Sequence, residues 1–477
     1  MRQSVKNILF VSVGAIAGIA IALQISATAQ QSTTVPLDEL RLLTGVFGQI
    51  KREYVEPVDD KKLLTDAVKG MVGSLDPHSA FLDKKDFEEM KEHTEGRFAG
   101  LGIEISAEDG LVKVMNPIED TPAAKAGLQA GDLITRLDDK PVRGMTLDQA
   151  VRKMRGVPGT KITLTIYRKL EDRTFPVTIT RAEIKVQSVK AKVLENNIAW
   201  VRITSFQERT VPDLARKLNE VYQQNPNIKG LVLDLRNNGG GILQGAVGVS
   251  AAFLPQGSTI VSTKGQTEES KQIYKAEPDM YRLSENNDAL AGLPAIFKKI
   301  PMVVLTNAYS ASASEIVSGA LQDYKRATIM GKTTFGKGSV QTVRQISNET
   351  AIKLTTAYYY TPNGRSIQAY GIKPDIAVDQ NAEGDLDDVL VIREVDSEKH
   401  LRNKQNSEEQ LISDREKRRM DELARLEEKN SKKTPEEREK DKLKKMPEFG
   451  SNEDFMLKQA SAFLLGQQVV RSKSKLE

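Results

Sequence analysis

The stretch Pro301-Met-Val-Val-Leu-Thr-Asn-Ala-Tyr-Ser-Ala-Ser-Ala-Ser-Glu315 joins an apolar run to a series of alternating serines. Residues 302–307 predict a central strand, because strands covered on both faces are nearly continuous in apolar residues. Residues 314–324 predict a helix that follows at once. Unpaired backbone N–H groups at the start of a helix can stabilise an oxyanion. The stretch therefore predicts a hydroxyl nucleophile at the carboxyl end of a strand.

The same strand-then-helix order recurs on both sides of this stretch. Apolar runs predict strands at 198–203, 230–235, 327–330 and 350–360, and helical periodicity predicts helices at 211–224 and 242–254. Strands that alternate with helices favour an α/β core built from crossover units.

A base for the nucleophile has to come from a chain of 477 residues with three histidines and no cysteine. Lys337, in Phe335-Gly-Lys337-Gly, lies 25 positions after the central serine of the run. A lysine accepts a proton only when burial or nearby positive charge lowers its pKa from about 10.4. The neighbours of Lys337 in sequence, residues 334–340, include no carboxylate and permit that shift. A Ser-Lys peptidase is the resulting hypothesis.

Other classes of chemistry are disfavoured by composition and spacing. The histidines are His78, His93 and His400, far upstream or in a charge-dense tail, which argues against a Ser-His-Asp triad. No zinc-like spacing occurs, so we expect no metal and no cofactor. The net charge of +4 carries no general basic field, so no nucleic-acid partner is expected.

A near match to a nucleotide-binding loop also fails. The stretch 331–338 resembles Gly-x4-Gly-Lys-[Ser/Thr], but Gly338 replaces the hydroxyl residue that binds magnesium. A P-loop also opens a helix, whereas residues 339–346 predict a strand.

A second source of oxyanion donors is the turn Asp234-Leu-Arg-Asn-Asn-Gly-Gly-Gly241, which directly follows a predicted central strand. Consecutive glycines expose main-chain N–H groups at little steric cost. Each feature also has an ordinary explanation, since serines cap helices, glycines make turns and most lysines are surface residues. The residues alone do not choose among Ser310, Ser312 and Ser314.

Residues 96–181 form a unit of different character, with strands predicted at 111–114, 133–137, 161–167 and 174–180 and a helix at 147–154. Gly100-Leu-Gly-Ile103 and the turn 121–132 (Thr-Pro-Ala-Ala-Lys-Ala-Gly-Leu-Gln-Ala-Gly-Asp) together resemble a PDZ domain. In such a loop backbone N–H groups cradle a terminal carboxylate, and the next strand edge accepts the peptide. The predicted peptide-binding residues are Phe98, Ala99, Gly100, Leu101, Gly102 and Ile103. The alternative is that the glycines only make a tight turn.

The two ends of the chain differ from its centre. Residues 1–29 combine a basic start, an apolar run from Ile8 to Leu23 and Ala27-Thr-Ala29, which predicts a signal peptide; an uncleaved anchor is the alternative. Apolar stripes at 40–50 and 455–470 predict helices that need a partner on the same chain or on another subunit. We expect domains at 30–85 (helical), 86–182 (PDZ), 183–390 (catalytic core), 391–450 (charged linker or helix) and 451–477 (closing helix).

Together, the motifs resemble the C-terminal processing peptidases, also called tail-specific proteases, over residues 38–380. They are the signal segment, the PDZ unit, the turn 234–241, the serine run with Glu315, Phe335-Gly-Lys-Gly-Ser-Val-Gln341 and Gly371-Ile-Lys-Pro-Asp375. The resemblance implies that Ser312 is the nucleophile, Lys337 the general base and Gln341 the residue that orients the lysine. It implies oxyanion donors at the N–H groups of Gly241 and Ala313. Lys332 departs from the acidic residue frequent in relatives.

The expected protein is therefore an α/β multidomain serine endopeptidase, with a PDZ domain ahead of the catalytic core and helical extensions at both ends. Its expected substrates are exported proteins with apolar C-terminal tails, and its expected location is the periplasm, with inner-membrane association if the signal segment stays uncleaved. We expect a homo-oligomer formed through the terminal helices, and an envelope adaptor is a candidate partner. The alternative is a catalytically silent PDZ scaffold that binds exported proteins.

Overall fold

The computed structural model describes residues 36–118, 120–169, 171–283, 288–381, 391–431, 434 and 447–472. The expected signal segment lies outside these residues. The chain divides into two compact units, Met1–Met71 and Val72–Glu477. Of the helices that the structure describes, none is both long enough and apolar enough to cross a membrane.

The helices of the described residues, in chain order, are Leu37–Glu53 (α1), Asp60–Gly73 (α2), Lys84–Glu95 (α3), Pro122–Lys125 (α4), Leu147–Met154 (α5), Thr210–Gln224 (α6), Leu243–Phe253 (α7), Pro278–Tyr281 (α8), Ala313–Asp323 (α9), Glu409–Ser431 (α10) and Phe455–Leu464 (α11).

The strands are Ala80–Leu82 (β1), Arg97–Gly100 (β2), Ile103–Glu108 (β3), Leu111–Pro117 (β4), Leu133–Leu137 (β5), Lys140–Pro141 (β6), Lys161–Arg168 (β7), Arg173–Thr180 (β8), Ala182–Lys185 (β9), Val189–Leu194 (β10), Ile198–Ile203 (β11), Gly230–Asp234 (β12), Thr259–Gly265 (β13), Ile273–Lys275 (β14), Met302–Thr306 (β15), Thr328–Gly331 (β16), Ser339–Gln345 (β17), Ala351–Tyr360 (β18) and Ile376–Ala377 (β19).

A six-stranded sheet in the order β10-β11-β12-β15-β16-β19 forms the centre of the second unit. Its strands are parallel except for β10, which pairs antiparallel with β11. Successive residues of a strand face opposite sides, and here both sides are buried. Leu231 and Leu233 join the core formed with α6, α7 and α9, whereas Val232 joins the core on the other face. Burial on both faces explains the continuous apolar strands and confirms the predicted α/β core.

The second face of this sheet is covered by the closing helix of the same chain. Met456, Leu457 and Ala460 of α11 are buried against Trp200 and Val303 of the sheet. Of the two partners that the sequence left open for the C-terminal stripe, the chain's own sheet is the one that these three residues contact. Oligomerisation through the terminal helices stays a prediction.

Residues 391–408 were expected to begin a charged linker, but several of their polar side chains are buried against the core. Glu394 is fully buried, and Arg393, Asn403 and Glu408 are nearly so. Asn403 donates through its side-chain amide to the carbonyl oxygen of Gln368 at 2.7 Å. Despite its high charge density, the segment from residue 391 to the start of α10 therefore packs on the core.

Three further sheets belong to the second unit. A five-stranded sheet has the order β1-β18-β13-β14, with β17 also paired to β18. The six-stranded sheet formed by β3 to β8 encloses a separate core that includes Val114, Ile134 and Leu164, and it corresponds to the predicted PDZ unit. Strands β2 and β9, at the entry to and exit from this unit, pair with each other.

Candidate active site

Three motifs meet because they follow three neighbouring strands of the central sheet. The glycine-rich turn follows β12, the serine run follows β15, and the loop that carries Lys337 follows β16. These strands are adjacent and parallel, so their carboxyl ends lie at one edge. This edge is where ligands and substrates bind in open α/β sheets.

The three serines of the run have different environments. Ser310 and Ser314 are fully buried, and their hydroxyls each donate at 2.8 Å to a backbone carbonyl, Leu235 O and Asn238 O respectively. Ser312 is partly exposed, and it is the one serine of the described residues with a positive φ, 54°. Strained backbone of this kind clusters at functional sites. The flanking serines hold the turn in place, and Ser312 is left as the candidate nucleophile.

The glycine-rich turn lies against Ser312. A Cβ on Gly240 would lie 2.8 Å from the Cβ of Ser312, which shows how closely the turn approaches it. Phe206 binds the turn on both sides, since its N–H donates to Gly240 O and its carbonyl accepts from Ile242 N, both at 2.9 Å. Within the described residues, the N–H groups of Gly241 and Ala313 donate no hydrogen bond. Both predicted donors are thus available for an oxyanion.

Lys337 lies in the loop between β16 and β17, partly buried. Burial lowers the pKa of its ammonium group, and the nearby cation of Lys353 lowers it further, against opposing effects of Glu394, Glu315 and Asp76. A buried lysine with a lowered pKa is suited to act as a general base near neutral pH. Burial and a nearby positive charge, either of which can lower a lysine pKa, are thus both present at Lys337.

Glu315 connects the serine run to the Lys337 loop. Its fully buried carboxylate accepts hydrogen bonds from Ser312 N at 2.7 Å, Thr334 Oγ1 at 2.5 Å, Gly336 N at 2.6 Å and Lys337 N at 2.9 Å. Burial raises the pKa of Glu315 to about 7, against the lowering effect of these hydrogen bonds. One carboxylate thus fixes the backbone on both sides of the candidate site.

Tyr359 of β18 makes a second connection. Its buried hydroxyl donates to the carbonyl oxygen of Lys337 and lies 3.2 Å from the carbonyl oxygen of Ser312. Burial raises the pKa of this phenol well above its usual value, so the hydroxyl keeps its proton. It can therefore remain a donor over the whole physiological range of pH.

Gln341 does not hydrogen-bond to Lys337 among the described residues. Its amide donates instead to Ser339 Oγ at 3.0 Å and to Thr355 Oγ1 at 3.2 Å. The Thr355 hydroxyl in turn donates to Asp76 Oδ1 at 3.0 Å. Its role in orienting Lys337 stays a prediction, and the structure connects it to the segment before β1.

The segment before β1 also brings in His78. Its Nε2 lies 2.8 Å from Oε2 of the buried Glu394. Glu394 Oε1 accepts from Gln368 Nε2 at 2.9 Å, and Gln368 Oε1 accepts from Gly338 N at 2.8 Å. His78 is thus connected to the loop of Lys337 through two buried side chains.

The predicted peptide-binding loop of the PDZ unit divides into two parts. Phe98, Ala99 and Gly100 belong to β2 and pair with β9, while Leu101 and Gly102 form the turn into β3. Within the described residues the N–H groups of Leu101 and Gly102 donate no hydrogen bond. Ile103 begins β3, an end strand of its sheet. The turn therefore has the free donors, and the edge strand, that capture of a C-terminal carboxylate requires.

The sequence reasoning missed Glu315, Tyr359, Asp76 and Glu394. Glu315 had a local signal, because Ser312-x-x-Glu315 has the spacing of a capping box, in which the glutamate accepts from the N-cap N–H. The other three come from distant parts of the chain, and nothing in their neighbouring residues marks them.

Three family profiles match parts of the chain. Family profiles described as Peptidase family S41, PDZ domain and Activating protease CtpB N-terminal domain match residues 197–378, 99–179 and 15–86. The chain is 44% identical over 371 residues to a carboxy-terminal-processing protease of Bartonella bacilliformis, covering 76% of this chain and 82% of that protein.

A second relative and a solved structure extend the comparison. The chain is 32% identical over 383 residues to the carboxy-terminal processing protease CtpA of Bacillus subtilis, covering 79% of this chain and 78% of that one. The solved photosystem II D1 C-terminal processing protease is 29% identical, with a TM-score of 0.40 over 73% of this chain and 89% of its own.

Proposed function

Because the chain belongs to the carboxy-terminal processing proteases, serine peptidases that here carry a PDZ domain, we propose that Ser312 and Lys337 form its catalytic dyad. The observation that carries this proposal is the difference in hydrogen bonding among the three serines. The hydroxyls of Ser310 and Ser314 are used in buried hydrogen bonds to the glycine-rich turn, so Ser312 is the serine left to react.

In the proposed reaction, neutral Lys337 takes the proton of the Ser312 hydroxyl as Oγ attacks the scissile carbonyl carbon. The carbonyl oxygen becomes an oxyanion and accepts hydrogen bonds from the N–H groups of Gly241 and Ala313. The lysine then gives its proton to the leaving amine, and the C–N bond breaks to leave an acyl-enzyme. Water, deprotonated by the same lysine, attacks the ester carbonyl carbon, and the C–O bond to Ser312 breaks as the lysine returns the proton to Ser312 Oγ.

The PDZ unit supplies the proposed substrate selection. The free N–H groups of Leu101 and Gly102 would bind the terminal carboxylate of a protein tail, and the edge of β3 would pair with its last residues. The substrates we propose are exported proteins with apolar C-terminal tails. The signal pattern of residues 1–29 supports export, and we propose the periplasm as the site of action.

The test is cleavage of an unfolded protein with a free apolar C-terminus by the purified enzyme. Ser312→Ala and Lys337→Ala should each lower kcat/KM on the order of 10⁴-fold or more, because nucleophile and base act as a unit. Ser314→Ala is the matched control. It removes a buried hydrogen bond, which costs roughly 1–3 kcal/mol of stability, but it should retain cleavage.

Substantial cleavage by Ser312→Ala or Lys337→Ala would refute the dyad. A wild-type enzyme that bound the tail without cleaving any substrate would instead support the silent-scaffold alternative.

A further inference from the structure

Arg236, at the start of the glycine-rich turn, is a buried cation held by two carboxylates. Its guanidinium donates to Asp234 through Nε at 2.9 Å and through Nη2 at 2.6 Å. It also donates to both oxygens of Asp454, at 2.9 Å and 2.6 Å. Arg236 and Asp234 are fully buried and Asp454 nearly so. Planar two-point contacts of this kind fix orientation as well as charge.

Asp454 comes from the far end of the chain, where it is the N-cap of α11. Its carboxylate also accepts from Gly450 N at 2.8 Å and Leu457 N at 3.1 Å. The ring of Phe449 lies over the guanidinium of Arg236, 4.2 Å from it. Thus the segment 449–454 closes over the arginine from the face of the sheet opposite the helices α6, α7 and α9.

The arginine sits within the stretch that holds the serine run. Leu235 O and Asn238 O, on either side of it, accept the hydroxyls of Ser310 and Ser314. Ala311 N also donates to Asn238 O at 3.0 Å. A movement of Arg236 would therefore displace both the nucleophile and the proposed oxyanion donor.

The charges at this position balance only with the C-terminal segment in place. Arg202 lies 3.3 Å from Asp234, so two arginines share that carboxylate. Asp454 is the second negative charge. Removing one partner of a buried ion pair leaves an uncompensated charge and is strongly destabilising locally.

We infer that Asp454 is a positioning residue of the peptidase site, acting through Arg236 to hold the turn that carries the Gly241 oxyanion donor. This inference rests on the proposed function, since it assumes that Ser312 is the nucleophile and that Gly241 N–H stabilises the oxyanion. It makes docking of the C-terminal helix a requirement for catalysis and not for stability alone.

The test compares Asp454→Asn with wild type in steady-state cleavage of one unfolded substrate. Asparagine can still cap α11 through its amide oxygen but carries no charge for Arg236. We expect kcat to fall roughly 10- to 100-fold, less than or comparable to the ~10²–10³ lost when an oxyanion donor is removed. KM and the affinity for a C-terminal tail peptide should stay within about twofold, whereas the affinity for a peptide boronate should fall in parallel with kcat.

Leu464→Ala is the matched control at the other end of α11. Leu464 packs within 3.1–3.3 Å of the position a Cβ would take on Gly230, at the start of β12 and away from the turn. It should lower Tm, because a partly buried leucine loses packing, and it should leave kcat unchanged. Equal losses of kcat in the two variants would show a stability effect and overturn the inference.

A milder variant keeps the test valid if Asp454→Asn does not fold. Phe449→Leu removes the ring over Arg236 and leaves the ion pair, and it should lower kcat about 2- to 5-fold. Unchanged kcat in both variants, with Ser312→Ala inactive, would refute the positioning role and leave the dyad standing. Cleavage by Ser312→Ala would refute the dyad instead.

Discussion

Lys337 owes its suitability as a base to a second cation as well as to burial. Lys353 lies on β18, where it pairs with Val343 of β17, the strand that follows the Lys337 loop. In the proposed mechanism catalysis requires neutral Lys337, so activity should rise as pH increases through its pKa. Lys353 lowers that pKa and thereby raises the fraction of active enzyme at neutral pH.

Replacing Lys353 should consequently move the pH profile. In Lys353→Gln the pKa of Lys337 rises, so the acid limb of kcat/KM shifts to higher pH and activity at neutral pH falls several-fold. The two profiles should meet at alkaline pH, where Lys337 is neutral in both proteins. Lys353→Arg preserves the charge and serves as the control. An unshifted acid limb in Lys353→Gln would contradict this account of Lys337.

The glycine-rich turn shows why three consecutive glycines are not equivalent. Gly240 and Gly241 have φ values of 100° and 146°. A Cβ at Gly240 would lie 2.8 Å from Ala311 O, and one at Gly241 would lie 2.0 Å from Phe206 O. At Gly239 a Cβ would have no atom within 4 Å. Position 240 thus requires glycine because of its contact with the serine run, and position 241 because of its contact with Phe206. Position 239 does not require glycine.

We expect Gly240→Ala to lower kcat at least ~10²-fold, because the methyl group must displace the backbone around Ser312. Gly239→Ala should keep activity within about twofold, since its methyl group enters open space. Both variants are compared by kcat and Tm in the same assay. Equal activities in the two alanine variants would show that the turn does not set the geometry of the nucleophile.

Gly102 plays the corresponding part in the PDZ unit. Its φ is 80°, and a Cβ there would lie 2.3 Å from Cβ of Thr121, whose hydroxyl donates to Gly102 O at 3.1 Å. Gly127, in the same unit, also has a positive φ, 79°, but a Cβ added to it would have no atom within 4 Å. A substitution at Gly127 therefore introduces backbone strain alone, whereas one at Gly102 also distorts the carboxylate-binding loop.

Tail recognition through this loop gives a prediction for the complete enzyme. Gly102→Asp should raise KM about tenfold or more for an unfolded substrate with a free apolar C-terminus, by distorting the loop and by repelling the carboxylate. For the wild type, KM should rise similarly when the substrate's C-terminus is amidated or when Asp is added to it. Gly127→Ala is the control for strain. Equal cleavage of all substrates by all variants would exclude the PDZ unit as tail receptor.

Helix α1 has an exposed apolar face that could form the expected contact between subunits. None of its residues is buried, and Leu42 and Val46 are 69% and 48% exposed although they share one face. Burial of that face in a second copy would remove apolar surface from water. We expect Leu42→Glu combined with Val46→Glu to reduce the mass measured by light scattering, and Gln49→Glu to leave it unchanged. A wild-type monomer would contradict the expectation.

Local patterns were sufficient to predict the α/β core, the PDZ unit and the family. Strand β11 was predicted at its observed bounds, and β12, β15, α7 and α9 within one residue at each end. Apolar runs, helical periodicity and glycine turns depend on neighbouring residues, so they are legible in a single sequence. The sheet order then explains why the three motifs meet, because neighbouring parallel strands end at one edge.

Contacts between distant residues decided the rest. Which serine is free depends on Leu235 and Asn238, more than 70 positions away, whose carbonyls use the hydroxyls of Ser310 and Ser314. The partner of the closing helix is this chain's own sheet, and an apolar stripe records only that a partner is needed. Asp454 reaches Arg236 across 218 positions. Such pairings are set by how the elements pack together, because burial and hydrogen bonding depend on neighbours in space.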